Sequence, residues 1–256
     1  MQLLLSFWCA ALLLTACAAP PPLPTARLLI YGEQHDQPDQ QRQVAAVVRT
    51  LAARGELAAV VIEMADAGRS TASLPATATA DAVREALAWK GWPWDDYAGV
   101  VMAAVQGGVP VFGGNLPRPQ MRDAMADASL DQRIPASAAQ RLADAVRTGH
   151  CGLLPASQEP GMLRIQIARD ASIARTVTTA LDAAPPGQRV LLLAGAQHAS
   201  RDRGVPLHLA AGTTVHVTMF GDLPPGLLTD ERRPAINTPR PDPCDGLREK
   251  LAPKAG

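Results

Sequence analysis

The sequence predicts an α/β fold, a single domain whose mainly parallel sheet has about five strands, with helices on both faces. The first observation is that short apolar runs of strand length alternate with segments of helical periodicity. The run at 28–31 (LLIY) is followed by Val44, Val47, Val48 and Leu51, which form one apolar helix stripe. The second observation is that the 256 residues show neither an internal repeat nor a second hydrophobic core. Strands separated by helices favour parallel connections.

The elements follow from these runs and from the residues that interrupt them. The predicted strands are residues 28–31, 58–64, 109–112, 189–194 and 213–220, the last alternating enough to be an edge strand. The predicted helices are the stripe at 44–51, 81–89, a segment running to 106, 117–128, 136–148 and 162–181. Small polar residues at 65–80 predict a loop or lid, and the Pro-rich chain beyond Gly221 predicts a tail.

The amino-terminal segment, residues 1–16, is predicted to be a lipoprotein signal peptide. Its apolar stretch at 3–14 is too short for a typical membrane-spanning helix, although no Lys or Arg precedes it. Residues 14–17 (LTAC) form a lipobox, which predicts that Cys17 carries lipid and becomes the mature first residue. The alternative is an uncleaved anchor.

Composition divides the rest of the chain into a Pro-rich linker at 17–26, a folded domain at 27–221 and a Pro-rich tail at 222–256. A lipid or an anchor would equally place the body of the protein outside the cytoplasm. Ala18 is not the aspartate that retains lipoproteins in the inner membrane. We therefore expect a lipid-anchored protein of the cell envelope, held in the outer membrane and facing the periplasm.

The cysteines are interpreted in the light of that location. Cys9 leaves with the signal peptide and Cys17 carries lipid, so Cys151 and Cys244 remain as a pair in an oxidising compartment. A disulfide between them is predicted to tie the tail to the body of the protein. A two-cysteine metal site is the weaker alternative, because no C-x-x-C spacing supports it.

The charge balance excludes one broad class of partner. Lys plus Arg and Asp plus Glu both number 24, and the formal net charge is zero. We find no basic run along the chain. Binding of nucleic acid, or of an anionic membrane surface by bulk charge, is therefore not indicated.

Polar side chains follow four of the predicted strands at the point where each strand ends. They are Glu33 and His35, Glu63, Asn115 and Arg118, and His198. The carboxyl ends of parallel strands share one edge of the sheet, and ligands of open α/β sheets bind there. The sequence therefore predicts that these groups meet in a single cleft.

Two carboxylates and two imidazoles suit either a divalent cation or an acid/base pair. The predicted metal ligands, or catalytic residues of an enzyme, are Glu33, His35, Glu63 and His198. Arg118 would offer a fixed positive charge to a carboxylate or propionate group, and Asn115 would orient the ligand. Purely structural alternatives stay open, because Glu63 could pair with Arg118 and His198 could cap the following helix.

An aromatic segment, Trp89, Trp92, Trp94 and Tyr97, stands out in a chain poor in aromatics. Its rings could belong to the core, or they could cover a planar ligand at a loop entering a helix. Tyr97 is also a candidate haem ligand, since phenolate is one of the axial donors that proteins use. Three further histidines, His150, His208 and His216, have weaker claims and stay outside the predicted site.

The combination of motifs resembles one known family. In chain order the motifs are Gly32-Glu33-Gln34-His35-Asp36, the Trp/Tyr segment, Gly114-Asn115-Leu116-Pro117-Arg118, Cys151-Gly152-Leu153-Leu154-Pro155 and Gly195-Ala196-Gln197-His198. Together they resemble the ChaN-type lipoproteins of the haem-binding-uptake/Tiki superfamily, and the resemblance runs from about residue 27 to residue 220.

The resemblance implies an α/β fold that binds haem for iron acquisition, with a tyrosine ligand and sometimes with haem held between two subunits of a homodimer. The haem-binding residues implied here are Tyr97, His35, Asn115, Arg118 and His198, and Tyr31 is the only other tyrosine. In one respect the sequence departs from the family. Relatives often carry a pair of histidines where this chain has Gln40 and Gln41, and neutral amides are poor ligands.

The wider superfamily also implies an alternative activity. Its hydrolases, which include Tiki-type proteases and erythromycin-esterase-like enzymes, share the G-E-x-H and G-x-x-H elements that map onto Glu33, His35 and His198. In this alternative the protein is an extracytoplasmic metal-dependent hydrolase, with His35 as general base or metal ligand and Glu63 as a further ligand. Whether the protein is an enzyme stays open at this point.

Overall fold

The computed structural model describes residues 24–35 and 37–251. The predicted signal peptide and Cys17 lie outside the described residues. The strands are β1 Leu28–Glu33, β2 Leu57–Asp66, β3 Val111–Asn115, β4 Arg189–Gly195, β5 Val215–Phe220 and β6 Glu231–Arg233. The α-helices are α1 Pro38–Ala53, α2 Ala80–Ala86, α3 Trp94–Gln106, α4 Met121–Ala126, α5 Ala136–Gly149, α6 Glu159–Ala183, α7 Ala196–Ala199 and α8 Pro243–Leu251. Short 3₁₀ helices cover Arg118–Gln120, Ala128–Gln132 and Val205–His208.

The sheet is six-stranded, in the order β3-β2-β4-β1-β5-β6, and all its pairings are parallel. The central strands β4 and β1 are buried on both faces, which explains why their sequences are continuous apolar runs instead of alternating ones. The prediction of an α/β domain with a mainly parallel sheet is confirmed.

Helices cover both faces of the sheet. On one face α1 and α3 pack against Leu29, Tyr31 and their neighbours, whereas on the other α6 packs against Leu28 and Ile30. Successive residues of β1 thus point to opposite cores, as the pleat of a strand requires. Each such side chain contributes about 1.5–3 kcal/mol by leaving water. A smaller apolar cluster joins α4, α5 and α6 beside the strand ends.

The tail differs from the prediction in one respect. It contributes the sixth strand, β6, which pairs with β5, so β5 is not the edge strand that its alternation predicted. The sequence of β6 is Glu-Arg-Arg, and its three residues carry no apolar signal from which a strand could be recognised. Besides its backbone pairing, β6 contacts β5 through Glu231, whose Oε2 lies 3.4 Å from His216 Nε2 and accepts a hydrogen bond from the Thr218 hydroxyl at 3.1 Å.

Beyond β6 the tail returns to the body of the protein. Backbone groups of Thr238 and Ile236 bond to the side chains of Gln37 and Asp39 at the start of α1. Cys244 then forms a disulfide with Cys151, with the Cα atoms 5.6 Å apart. The predicted disulfide is therefore present and ties the tail across the carboxyl edge of the sheet. Within the described ranges, no helix has the length and apolar character needed to cross a membrane.

Candidate functional site

The carboxyl ends of β1, β2 and β4 lie side by side and bring four of the predicted site residues together. Glu33 ends β1 with His35 two residues later, Glu63 lies near the end of β2, and His198 lies in the short helix after β4. His35 Nδ1 lies 2.9 Å from Glu33 Oε1, and its Nε2 lies 3.9 Å from Glu63 Oε2. His198 Nε2 lies 3.5 Å from Glu63 Oε1. These four side chains therefore lie together at one edge of the sheet, as the sequence predicted.

Glu63 is the anionic centre of this cluster. Its Oε1 accepts a hydrogen bond from Arg169 Nη2 at 2.5 Å, and its Oε2 accepts one from the backbone N–H of Gly195 at 2.7 Å. Burial alone would raise the pKa of this carboxyl, but His198, His35 and Arg169 lower it to about 2. Glu63 is therefore ionised across the physiological range, with both oxygens engaged.

Glu33 fixes the ring of His35. The Tyr97 hydroxyl donates to Glu33 Oε1 at 2.8 Å, and the Gln41 amide donates to Glu33 Oε2. An ionised carboxylate can only accept hydrogen bonds, so the His35 Nδ1 that bonds to Glu33 must carry a proton. The neutral imidazole then keeps its lone pair on Nε2. Within the described part of the chain, that Nε2 makes no hydrogen bond.

The pKa values of this pair move in the same direction. Burial raises the pKa of Glu33, against the lowering influence of His35 and Tyr97. Burial lowers the pKa of His35, but its hydrogen bond to Glu33 and the charges of Glu63 and Glu33 outweigh that, and the net shift is upward. The imidazole is therefore a stronger base than a free histidine and takes up a proton more readily.

The two glutamines that replace the family's histidine pair have structural roles. Gln41 donates to Glu33, and Gln40 Oε1 accepts the backbone N–H of Gln34 at 2.8 Å. Both side chains are buried at the first turn of α1. They hold the Glu33–His35 loop in place and do not line the cavity described below.

Tyr97, the predicted haem ligand, is not presented to a ligand. Its side chain is fully buried beneath His35 and Trp92, and its hydroxyl is engaged with Glu33. Burial, followed by the neighbouring Glu33 charge, raises its pKa strongly, so the phenolate needed for ligation is disfavoured. Tyr31, the other tyrosine, packs on Phe220 inside the core.

The aromatic segment divides between the two roles that the sequence left open. Trp89 packs edge-on against Trp94 and tilts against Tyr97, as core rings do. Trp92 instead tilts over the His35 imidazole, with ring centroids 4.4 Å apart, and lines the cavity. One ring of the segment is therefore available to a ligand.

The arginine of the site is not the predicted one. Arg118 is exposed on the 3₁₀ helix after β3, since Leu116 and Pro117 carry the chain away from the sheet edge. Arg169 of α6 takes the place beside Glu63, and its Nε donates to Asn115 Oδ1 at 3.0 Å. Asn115 thus orients an arginine, and neither Asn115 nor Arg118 lines the cavity.

Asp170 is a second residue that the sequence analysis missed. It lies fully buried on α6, and its Oδ1 is 2.7 Å from His198 Nδ1. Burial raises its pKa in spite of His198. Asp170 lies three residues from both Ile167 and Ile173 on the buried stripe of α6, and a carboxylate on an apolar stripe was the signal that could have revealed it.

The predicted metal site is not formed. Among the described residues no group of three or more His, Cys, Asp or Glu side chains is placed to hold a metal ion. Glu63 accepts from Arg169 and Gly195, and Asp170 takes one nitrogen of His198. Because these donors are directed at each other, their lone pairs do not converge on a common point.

A cavity of about 730 Å³ opens above the cluster. His35, Trp92, Arg169 and His198 form its polar floor, together with Glu33, Glu63 and the Gly195–Gln197 turn. One wall is the face of α5 that carries Leu142, Ala145, Val146 and Gly149 and continues into His150; the other comes from the tail, with Pro224, Leu227 and Arg240. The volume lies in the usual range for sites that bind small molecules and cofactors.

The remaining histidines differ in their positions. His150 lines the cavity, although it was left outside the predicted site, whereas His216 Nε2 lies 3.4 Å from Glu231 in the β5–β6 pair. His208 lies outside the cavity, and burial lowers its pKa. Its Nε2 is buried and unpartnered within the described residues.

A family model described as "Haem-binding uptake, Tiki superfamily, ChaN" matches residues 22–209, which is more than half of the chain. The chain belongs to the ChaN family. No curated protein matches this ChaN-family chain.

Solved structures support the fold. The chain is similar to ChaN of Campylobacter jejuni, described as binding heme cofacially, with a TM-score of 0.65, 22% identity and coverage of 77% of this chain and 82% of that one. At 22% identity this similarity supports the fold alone. The type III effector HopBA1 (TM-score 0.42, 13% identity, 83% and 88% covered) and the erythromycin esterase EreC in its open conformation (0.45, 14%, 77% and 70%) are more distant and carry no argument.

Proposed function

We propose that this ChaN-family chain binds haem in the cavity at the carboxyl ends of its strands, as a lipid-anchored protein of the cell envelope that serves iron acquisition. The observation that carries the proposal is the His35 imidazole. It lines the cavity with its Nδ1 fixed by Glu33, so that Nε2 is left as the donor atom.

The residues around the cavity fit a haem group. A porphyrin is a flat apolar body with two carboxylates at one edge and an iron that accepts an imidazole as axial ligand. Leu142, Val146 and Leu227 offer apolar wall, and Trp92 offers a ring. Arg240 and Arg169, the latter paired with Glu63, also line the cavity. His35 would donate its Nε2 lone pair, and Glu33 would strengthen that donor, as outer partners of ligating histidines do.

The proposed location rests on two features. The lipobox ending in Cys17 predicts a lipid anchor in the outer membrane facing the periplasm. The Cys151–Cys244 disulfide supports an oxidising compartment, where such bonds persist. A homodimer stays a prediction of the family resemblance.

The alternative, a metal-dependent hydrolase, is less well supported. The described carboxylates and imidazoles are paired with each other and do not form a metal-binding group. The Glu33–His35 pair would suit a general base, but it would serve ligation equally well.

Haem binding is tested by titrating hemin into the purified protein and following the Soret band. We expect a shifted band that saturates at a fixed stoichiometry. His35→Ala should weaken binding by about tenfold or more, which is ~1.4 kcal/mol, because the nitrogen donor is lost.

The matched control is His216→Gln, since His216 lies in β5, away from the cavity. It should bind hemin as the wild-type protein does. A hemin spectrum that the wild-type protein leaves unchanged would refute the proposed function, and equal affinity of His35→Ala and wild type would remove His35 from the site.

A further inference from the structure

The tail segment 238–244, here called the strap, is attached to the body of the protein at both ends. At its start the backbone N–H of Thr238 donates to the side-chain oxygen of Gln37 at 2.6 Å, and the Gln37 amide donates to the Thr238 carbonyl at 3.1 Å. At its end Cys244 is joined to Cys151 by the disulfide. The strap therefore runs from the start of α1 to the end of α5.

Both attachments lie beside the cavity. His35, two residues before Gln37, and His150, next to Cys151, belong to the cavity lining. Arg240, which lies between the two attachments, lines the cavity as well. The strap is therefore part of the cavity rim, and its position bears on how a ligand enters and leaves.

The sequence makes the strap stiff. Residues 238–244 read TPRPDPC, with a proline at every second position. A proline ring fixes its own φ near −65° and also holds the residue before it in an extended conformation. Residues 239–242 are exposed and lie outside the helices and strands. A stiff segment that is held at its two ends moves as one arm when either end is released.

The backbone hydrogen bonds around the disulfide end of the strap are local. The N–H of Cys244 donates to Asp242 Oδ1 at 2.9 Å, and the N–H of Asp245 donates to the Asp242 carbonyl at 3.0 Å. Arg248 in turn pairs with Asp245. These bonds hold the start of α8 together, whereas the disulfide fastens this end of the strap to the body of the protein.

We propose that the Cys151–Cys244 disulfide is a redox latch on the cavity, which a dithiol partner opens by thiol–disulfide exchange. A partner thiolate attacks one sulfur of the bond, and the other cysteine leaves as a thiolate and takes up a proton. The second partner thiolate then attacks the mixed disulfide and releases the remaining cysteine, so that the partner departs as a disulfide and both cysteines are thiols. Both cysteines are partly exposed, as this attack requires.

The inference rests on the proposed function, because haem is the ligand whose exchange the latch controls. The competing explanation is that the disulfide only stabilises the fold. The two explanations are separated by the rates of hemin exchange, measured far below the unfolding midpoint of the reduced protein. A crosslink that only stabilises the fold leaves these rates unchanged as long as the protein stays folded.

Hemin entry is followed by stopped-flow absorption at the Soret band, and hemin loss by transfer to apomyoglobin. The protein is reduced with a dithiol and freed of reductant without oxygen before hemin is added. We expect both rates to rise severalfold over those of the oxidised protein. Cys151→Ser/Cys244→Ser should exchange hemin as fast as the reduced protein does and should not respond to reductant.

The other attachment of the strap gives a test that leaves the disulfide in place. Gln37→Ala removes the bonds to Thr238 and should also speed hemin exchange, with the Soret maximum of the complex unchanged. Gln43→Ala is the matched control, because Gln43 Nε2 donates to the Pro234 carbonyl at 3.0 Å, a bond to the tail outside the strap. This control should exchange hemin at the wild-type rate.

Equal exchange rates in the oxidised protein, the reduced protein and the double cysteine variant would overturn the latch while leaving haem binding intact. Exchange in Gln37→Ala that is no faster than in Gln43→Ala would count against the strap in the same way. Absence of any hemin complex in the oxidised wild-type protein would instead reject the proposed function.

Discussion

The Glu33–His35 pair determines which protonation state of the imidazole is present to bind a metal centre. The carboxylate holds the proton of the imidazole on Nδ1, and its own position is fixed by Tyr97 and Gln41. A buried polar network of this kind is stable only when its members satisfy one another. The residue that looked like a haem ligand, Tyr97, and one that looked like a lost ligand, Gln41, thus have the same positioning role.

The shifted pKa of His35 predicts how hemin affinity depends on pH. The pKa of His35 is raised above its ordinary value of 6.5, because the hydrogen bond to Glu33 and two nearby carboxylates outweigh the lowering by burial. A protonated imidazole has no lone pair on Nε2. Hemin affinity should therefore be highest above the raised pKa and should fall as the pH drops through it and on below 6.5.

The measurement is a set of hemin titrations between about pH 5 and pH 9, a span that includes the range where histidine changes charge. His216→Gln should follow the wild-type profile, since that residue is remote from the cavity. An affinity that is flat across the range, or that rises as the pH falls, would show that the His35 imidazole is not the titrating donor.

At the scale of elements, the turn from β4 into α7 sets how closely the sheet edge approaches His35. A Cβ atom on Gly195 would lie 2.8 Å from His35 Nε2 and 3.4 Å from Glu63 Oε2. The backbone of Gly195, with φ −57° and ψ 147°, is open to any residue, so the restriction is steric and not conformational.

Gly195→Ala should therefore displace the His35 ring and weaken hemin binding about tenfold, without loss of the fold. Gly246→Ala is the matched control, because a Cβ there meets nothing within 4 Å and the position lies in α8. The comparison is made by hemin titration and by circular dichroism. If Gly195→Ala retained wild-type affinity, the close approach of this turn to His35 would have no part in binding.

The helices contribute residues around the site that the strand ends do not. Arg169 and Asp170 come from α6, and His150 comes from the end of α5. The sequence predicted both helices, but the side of each that faces the cavity depends on how α6 packs on β2 and β3 and how α5 packs on α6. Arg118 illustrates the converse, since its place after a strand suggested a site role that the turn at Pro117 prevents.

At the scale of the whole molecule, the tail closes the domain. It adds β6, crosses the start of α1 and ends at the disulfide beside His150. Through Pro224, Leu227 and Arg240 it also supplies a cavity wall. The tail is therefore part of the domain, although its composition resembles that of a linker.

Removing the crosslink should lower stability measurably. The disulfide closes a loop with a sequence separation of 93 residues. The chain-entropy model gives such a loop about 4 to 5 kcal/mol at most. We expect urea unfolding to show a lower midpoint for the reduced protein than for the oxidised one.

The double variant Cys151→Ser/Cys244→Ser is the control, since its midpoint should equal that of the reduced wild-type protein and should not respond to reductant. Equal midpoints for oxidised and reduced wild type would show that the crosslink does not stabilise the folded state.

The sequence by itself determined five of the six strands of the described sheet, because apolar runs of strand length are a local signal of burial. It also determined that Glu33, His35, Glu63 and His198 meet, because parallel strands carry their end residues to one edge. Only the tertiary structure decided which side chains surround them: Arg169 in place of Arg118, Asp170 behind His198, and His150 on the wall of the same cavity. These residues lie on helices and in a tail whose rotation and path are fixed by long-range packing, and no local pattern encodes those.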